Sequence, residues 1–371
     1  MTIENPKPTF IPGLELSKSF FQRIVEPILT LSFPGLKYCA ALIGTGSEVL
    51  GFDTEMSTDH HWGPRFMLFL HPDDFGQTRK SISNLLRKKI PPIFTGYSTN
   101  FTQPDLEDNG VQKLTSGKIG SVNHRVETYT ISGFFNEYLD IDIEKPVCAA
   151  DWLTLSHQKL RSICTGGVFR DDLGLNVIRD RFKWYPRDVW IYILASCWSR
   201  IGEDEHLMGR AGIVGDEIGS SLIASRIVQV LMRLAFLMER VYPPYAKWFG
   251  TAFSQLGCAG KLKPILLDIL SAPSWKDRDT GLANAYKYVA GMHNQLEITP
   301  VIPCEPTLFF GRPFHVIHGE RFACELRKII SDKKVKRISR KRLIGNIDLV
   351  SDNTDLIEDN SRRRTLLALY D

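Results

Sequence analysis

The sequence lacks the cysteine patterns that indicate a disulfide framework or a zinc site. Its seven cysteines are odd in number and widely spaced, and no two of them form a CxxC pair. This usage is typical of reduced thiols and argues against a disulfide-rich secreted domain. Residues 1–11 contain no apolar run and so do not indicate a secretory signal. We therefore expect a cytoplasmic protein.

Long apolar runs and a strong net charge are also missing. No stretch approaches the ~18 apolar residues that a membrane span requires, and the net charge is only +4. The basic run 333–342 is followed by acidic residues at 348–360, a pattern typical of solvated faces. We therefore expect no membrane partner, and nucleic acid is not the favoured ligand. The sequence also has no P-loop and no nucleophile elbow, which excludes those two enzyme classes.

The length of 371 residues predicts two domains, and the pattern changes near residue 145. The first part predicts an α+β domain over 1–145 with a mixed sheet, and the second predicts a mostly helical domain over 146–371. In the first domain we predict helices at 17–32 and 73–89, strands at 38–43, 66–70 and 126–131, and a loop at 97–120. In the second we predict helices at 151–164, 187–201, 216–240, 245–257, 262–271 and 281–298.

The stretch 44–65, GTGSEVLGFDTEMSTDHHWGPR, carries the most chemical information. Gly46 and Ser47 follow a predicted strand, where glycine allows close approach of a phosphate and N–H and hydroxyl groups can donate to it. Asp59 and His61 are two residues apart, so on a strand they would face the same side and could share a metal ion. Arg65 could balance phosphate charge or form an ion pair with a neighbour.

This turn, and its interval to Asp59, resemble the polymerase-beta-like nucleotidyltransferases. The longer string resembles a poorly characterised branch described as a domain of unknown function. It includes ADWLTLSHQKL, VFRDDLGL, YPRDVWIYILASCW, the stretch from GDEIGS to YPPYAKWFGTAF, and GRPFHVIHGERFA. That resemblance covers nearly the whole chain.

The resemblance implies an active site that binds a nucleoside triphosphate and a divalent metal, Mg or Mn. Asp59, His61 and a later carboxylate, for which Glu127 is our candidate, would be the catalytic metal ligands, and Gly46 and Ser47 would bind the nucleotide. His61 departs from the superfamily, whose second ligand is a carboxylate. Imidazole suits Mn²⁺ or Zn²⁺ better than Mg²⁺, and His61 could instead be a packed histidine that binds nothing.

Three arginines recur every seven residues on the predicted helix 216–240: Arg226, Arg233 and Arg240. That spacing places them on one helix face. They would either form salt bridges that hold helices together, with Asp216, Glu217 or Glu239 as partners, or contact ligand phosphates. Arg226 and Arg233 are therefore candidate nucleotide-binding residues.

The function that the resemblance implies is metal-dependent transfer of a nucleotidyl group to a small-molecule or protein acceptor. Two alternatives remain open. The chain could be a catalytically inactive module that binds a nucleotide or a partner, or a biosynthetic enzyme that reuses the fold for other metal-dependent chemistry.

Overall fold

The structure is a computed structural model that describes residues 9–108 and 110–371. Most of the segment 1–11, on which we based the absence of a secretory signal, lies outside the described residues. The chain divides into two compact units. The first takes in the chain up to Pro146 and Lys159–Lys183, and the second takes in Val147–Gln158 and Trp184–Asp371. The prediction placed a single boundary between residues 145 and 146. In the structure the chain passes from one unit to the other three times, after residues 146, 158 and 183.

A four-stranded mixed sheet organises the first unit. The strands of the chain are β1 (Tyr38–Leu42), β2 (Arg65–Leu70), β3 (Ile93–Phe94), β4 (Tyr97–Ser98), β5 (Asn100–Phe101), β6 (Leu114–Thr115), β7 (Arg125–Tyr129), β8 (Gly167–Asp171), β9 (Thr307–Leu308) and β10 (His315–Val316). The main sheet has the order β7-β2-β1-β8, in which β7 runs parallel to β2 and the other neighbours are antiparallel. The structure confirms the three predicted strands and adds β8, which the sequence analysis missed.

Every segment that was predicted to be helical contains helix, with different bounds, and the described residues contain eight further α-helices that were not predicted. The α-helices of the chain are α1 (Gly13–Phe20), α2 (Glu26–Ser32), α3 (Ser47–Leu50), α4 (Pro72–Lys89), α5 (Ile131–Leu139), α6 (Ala149–Thr154), α7 (His157–Cys164), α8 (Leu175–Asp180), α9 (Arg187–Ile213), α10 (Glu217–Met238), α11 (Ala246–Phe253), α12 (Ala259–Ser271), α13 (Trp275–Gln295), α14 (Gly319–Lys328), α15 (Lys333–Ser339), α16 (Ile347–Val350), α17 (Thr354–Glu358) and α18 (Asn360–Leu367). A mixed sheet followed by a helical C-terminal part is the predicted α+β fold.

Two predicted segments differ from the structure. The single helix at 151–164 is two helices, α6 and α7, because the backbone is extended at Leu155, where α6 ends. The loop at 97–120 contains β4, β5 and β6, which form short antiparallel pairs. Two-residue strands give too little alternation for a sequence pattern to reveal them.

The two faces of the main sheet have different surroundings. Phe66, Leu68 and Leu70 of β2 face a hydrophobic core that includes Phe20 and Phe21 from the helical segment preceding β1. Because strand residues alternate between faces, Arg65, Met67 and Phe69 lie on the opposite face. Phe134 of α5 covers the Phe69 end, with ring centroids 5.5 Å apart. The Arg65 end of that face is the polar one.

The second unit is built around α9, which is buried for most of its first half. Trp198 of α9 stacks on Phe322 of α14 with ring centroids 4.1 Å apart, and Trp190 Nε1 donates a 2.8 Å hydrogen bond to Leu237 O of α10. Among the described residues, α10 is the one helix long and apolar enough to cross a membrane, but 56% of its most apolar stretch is buried inside the protein. This burial is typical of the core helix of a soluble protein.

Candidate functional site

The glycine turn (Gly44–Gly46) connects β1 to the short helix α3, and its shape depends on Gly46. Gly46 has φ +143°, a backbone conformation that residues with a side chain rarely adopt. A Cβ atom there would lie 2.5 Å from Arg65 Nη2 and 2.6 Å from Glu48 Oε2. The turn can therefore pack against these two side chains only if position 46 has no side chain.

Donor groups at this turn are free to bind a ligand. Among the described residues, no hydrogen bond uses the backbone N–H groups of Thr45, Gly46 and Ser47 or the Ser47 hydroxyl. Ser47 is half-buried. The first N–H groups of a helix have no partner within it, so these groups can donate to an acceptor such as an anion.

Arg65 holds the turn in place. Its Nε and Nη2 donate to Glu48 Oε1 over 2.8 and 2.6 Å, and Nη2 also donates to Thr45 O over 2.6 Å. The side chains of Arg65 and Glu48 are only 6% and 3% exposed. Of the two alternatives for Arg65, the structure contains the ion pair. Its guanidinium lies against the turn and fixes it, while its contact with a nucleotide stays a prediction.

Asp59 and His61 do not lie on a strand, contrary to our expectation. Asp59 ends a 3₁₀ helix (Glu55–Asp59), and its Oδ1 lies 2.8 Å from His60 Nδ1. His61 has a left-handed backbone with φ 51°, and β2 begins only at Arg65. The strand alternation that would align the Asp59 and His61 side chains is therefore absent. The Asp59 side chain is 66% exposed.

His61 and Glu127 are brought together, but an arginine lies between them. Arg125 Nη1 lies 3.1 Å from His61 Nδ1, and Arg125 Nη2 donates to Glu127 Oε1 over 3.3 Å. The other Glu127 oxygen, Oε2, accepts a 3.3 Å hydrogen bond from the Tyr129 hydroxyl. Burial, followed by the positive charge of Arg125, lowers the pKa of His61. The Nδ1 atom of a neutral His61 can therefore accept a hydrogen bond from Arg125 Nη1.

A divalent metal does not fit this arrangement. The described residues contain no group of three or more His, Cys, Asp or Glu side chains that could hold a metal ion. A cation bound by both His61 and Glu127 would meet the Arg125 guanidinium, which carries a charge of the same sign. Of two later carboxylates in the chain, Asp140 lies at the C-terminal end of α5 and Asp142 pairs with Lys145.

Arg125 is the residue that the sequence analysis missed. It is paired with Arg65 across β2 and β7, so the two side chains share a face of the sheet. Burial, followed by the charge of Arg65, lowers the pKa of Arg125. The available signal was its position two residues before Glu127 and directly before the predicted strand 126–131, because residues i and i+2 of a strand face the same side.

Arg226 and Arg233 lie on α10, whereas Arg240 follows its end with a left-handed backbone, so the three arginines do not share one helix. Arg226 makes a bidentate ion pair with Asp204 of α9, with N–O distances of 2.7 and 2.6 Å. Arg233 lies 5.7 Å from the ring centroid of Phe249, and Arg240 lies 4.8 Å from that of Trp190. Arg226 therefore has the structural salt bridge that was one of our two alternatives. Nucleotide contact by Arg226 and Arg233 stays a prediction.

The partner of Arg226 is not one of the three acidic residues that we considered. Asp216 instead caps α10 by accepting from Gly219 N over 2.7 Å. Glu217 pairs with Arg278, and Glu239 accepts from the backbone N–H groups of Gly257 and Cys258. All three carboxylates therefore have partners of their own within the second unit.

Two of three comparisons with known proteins found matches. Residues 152–249 match the family model described as Domain of unknown function (DUF4037). A nucleotidyltransferase-like protein from Exiguobacterium sibiricum 255-15 matches at a TM-score of 0.33 and 8% sequence identity, over 79% of this chain and 82% of that chain. No curated protein matches. These two descriptions are the ones that the resemblance of the sequence predicted.

Proposed function

We propose that this nucleotidyltransferase-like chain binds a nucleoside triphosphate, with the phosphates at the glycine turn. The observation that carries the proposal is the set of free donors, the N–H groups of Thr45, Gly46 and Ser47 and the Ser47 hydroxyl, against which the Arg65 side chain packs. Arg125 is the strand partner of Arg65. Phosphate oxygens are strong acceptors, and charge-assisted hydrogen bonds to them are stronger than neutral ones. The Arg65–Glu48 pair supports the proposal because it keeps the turn in one shape before a ligand arrives.

Nucleotide binding is the function that the geometry supports best, and nucleotidyl transfer is the further step. Metal-dependent transfer to a small-molecule or protein acceptor would need Asp59, His61 and Glu127 around a metal ion. It would therefore require the Arg125 side chain to leave the space between His61 and Glu127. Transfer stays a prediction, as does the alternative of other metal-dependent biosynthetic chemistry.

A thermal-shift screen tests the binding proposal. A ligand that binds only the folded state raises its melting temperature by mass action. We expect at least one of ATP, GTP, CTP and UTP to raise it in the wild-type protein. The Ser47→Ala variant should show a smaller shift because it loses one phosphate donor, whereas Ser81→Ala on the exposed face of α4 should behave like wild type. If no nucleotide stabilises the protein with or without Mg²⁺ or Mn²⁺, the proposal is wrong.

A second measurement separates transfer from binding alone. Pyrophosphate release from the stabilising nucleotide is followed for the wild type and for Asp59→Ala in the presence of Mn²⁺ and a pool of small-molecule and protein acceptors, because pyrophosphate leaves only when an acceptor takes the nucleotidyl group. A transferase loses this release in Asp59→Ala. A binding module releases none in either protein, and its thermal shift with nucleotide is the same in both because Asp59 is exposed and lies outside the set of free donors.

A further inference from the structure

The Arg125 guanidinium has more hydrogen-bonding capacity than its protein neighbours use. It carries five N–H groups, and among the described residues its polar partners are His61 Nδ1 and Glu127 Oε1. Its Nε is buried and has no hydrogen-bond partner. The side chain is 11% exposed, and the ring centroid of Phe101 lies 5.6 Å from its Cζ. Nη1 and Nη2 each carry a second N–H group that these two partners do not use, and because the side chain is partly exposed, those groups can donate to an acceptor that comes from outside the chain.

The position of Arg125 connects these donors to the glycine turn. Arg125 and Arg65 are direct partners on β7 and β2, and neighbouring strands are about 4.8 Å apart. Arg65 in turn touches the turn at Thr45 O, over 2.6 Å. An anion that bridges the turn and Arg125 would therefore span roughly one strand spacing, which is within the length of a di- or triphosphate.

The charges in this cluster favour an anion over a metal cation. Glu48 neutralises Arg65 at a distance of 2.6 Å. Glu127 lies farther from Arg125, at 3.3 Å, and its other oxygen accepts a hydrogen bond from the Tyr129 hydroxyl. Two like-charged guanidinium groups on adjacent strands repel each other, and a phosphate placed between them would relieve that repulsion. A divalent cation in the same space would add to it.

We propose that Arg125 takes the place of the divalent metal at this site, so that the phosphates of a bound nucleotide are neutralised by a guanidinium and binding does not require Mg²⁺ or Mn²⁺. The inference rests on the proposed function. His61 is a positioning residue in this arrangement, because its neutral ring accepts from Nη1 and orients the guanidinium. Arg suits this role because its planar fork matches phosphate oxygens and stays charged when buried.

The test is an affinity measurement on the full chain, by isothermal titration with the nucleotide that gives the largest thermal shift. The wild type is titrated in EDTA and in Mg²⁺. We expect affinities within about threefold of each other, because the protein supplies the positive charge. In EDTA, the Arg125→Gln variant should bind at least tenfold more weakly, since a charged hydrogen bond to phosphate contributes about 1.5–3 kcal/mol and 1.4 kcal/mol is tenfold in affinity. Arg79→Gln, an exposed arginine of α4 in the same unit, is the matched control.

The outcomes distinguish a failure of the proposed role of Arg125 from a failure of the proposed nucleotide binding. Binding that requires Mg²⁺ or Mn²⁺ overturns the role of Arg125 and leaves the proposed function intact. Arg125→Gln binding as tightly as wild type in EDTA also overturns it. An absence of binding under every condition overturns both proposals. Arg125→Lys covers the case in which Arg125→Gln does not fold, since it keeps the charge and should retain part of the affinity in EDTA. The comparison of EDTA with Mg²⁺ on the wild type needs no variant.

Discussion

The arginines of the two units use their guanidinium groups in different ways. In the second unit, both oxygens of the Asp204 carboxylate accept from Arg226. In the first unit, Arg65 is engaged by Glu48 and Thr45, whereas Arg125 has a buried Nε without a partner. The presence of an arginine on a helix or strand face therefore does not indicate a phosphate site. What distinguishes Arg125 is that it lies beside Arg65 on the sheet and keeps N–H groups without protein partners, and only the three-dimensional structure reveals this combination.

Breaking the Arg65–Glu48 ion pair should have the largest effect on the free energy of unfolding. Glu48→Ala leaves the Arg65 guanidinium buried and unpaired, which costs about 3–5 kcal/mol for a buried ion pair. We expect the free energy of unfolding, measured by urea denaturation, to fall by that amount. Glu55→Ala, which removes an exposed carboxylate close by in the sequence, should change it little. A loss below ~1 kcal/mol in Glu48→Ala contradicts the role of the pair.

The second unit should lose stability in acid because of two buried histidines. Burial lowers the pKa of His157 and of His293 to about 4, below the unfolded value of ~6.5. Each stays neutral in the folded state while the unfolded state takes up a proton, so stability is present above pH ~6.5 and is lost as the pH falls toward 4. For His157 this loss is on the order of 3 kcal/mol.

Urea denaturation between pH 7 and 4 measures this slope. The His157→Leu variant should have a shallower slope than wild type, with His293 supplying what remains. The His71→Gln variant, in which an exposed histidine is replaced, should keep the wild-type slope. An unchanged slope in His157→Leu would show that His157 titrates normally in the folded protein.

Alanine substitutions at Gly46 and Gly51 compare a tightly packed glycine with one that has open space around it. Gly46→Ala introduces both backbone strain and a close approach to Arg65 Nη2, and we expect a loss of about 1–3 kcal/mol together with weaker nucleotide binding. Gly51→Ala has a positive φ but no atom within 4 Å of the new Cβ. It should cost about 1 kcal/mol and leave binding unchanged. Equal losses in binding would contradict the close packing at Gly46.

The smallest effect is expected for the arginine of the second unit. Arg226→Ala removes a side chain that is 44% exposed, and Arg200 Nε remains 3.3 Å from Asp204. Because Arg226 is partly exposed and the buried Asp204 carboxylate keeps Arg200 as a partner, the free energy of unfolding should fall by no more than about 1 kcal/mol. Nucleotide affinity should not change if Arg226 has a structural role alone, and a tenfold loss would instead support its predicted contact with phosphate.

The sequence predicted those parts of the fold that depend on local pattern. The apolar runs gave β1 and β2, and the glycine–serine turn lies where it was expected, directly after β1. The edge strand β8 was missed because it is short and only half-buried, and because its partner β1 is more than 120 residues away in the chain. Such a pairing depends on tertiary contacts that no local periodicity reveals.

The same limit applies to the candidate site, where only features that depend on local pattern could be predicted. Glu127 lies on its predicted strand, and His61 lies near it. The relation of Asp59 to His61 could not be predicted, because it depends on a 3₁₀ helix and a left-handed residue before β2. The ion pair Arg65–Glu48 depends on the path of the turn, and the placement of Arg125 beside Arg65 depends on the pairing of β2 with β7. Neither can be predicted from residue spacing.

The most direct test of the account is a crystal structure of the protein grown with the stabilising nucleotide and with Mn²⁺ present. We expect phosphate oxygens within hydrogen-bonding distance of Ser47 Oγ and of the Arg125 guanidinium, with Arg125 still beside His61 and Glu127. A manganese ion held by Asp59 and Glu127, with the Arg125 side chain displaced from between His61 and Glu127, would contradict it.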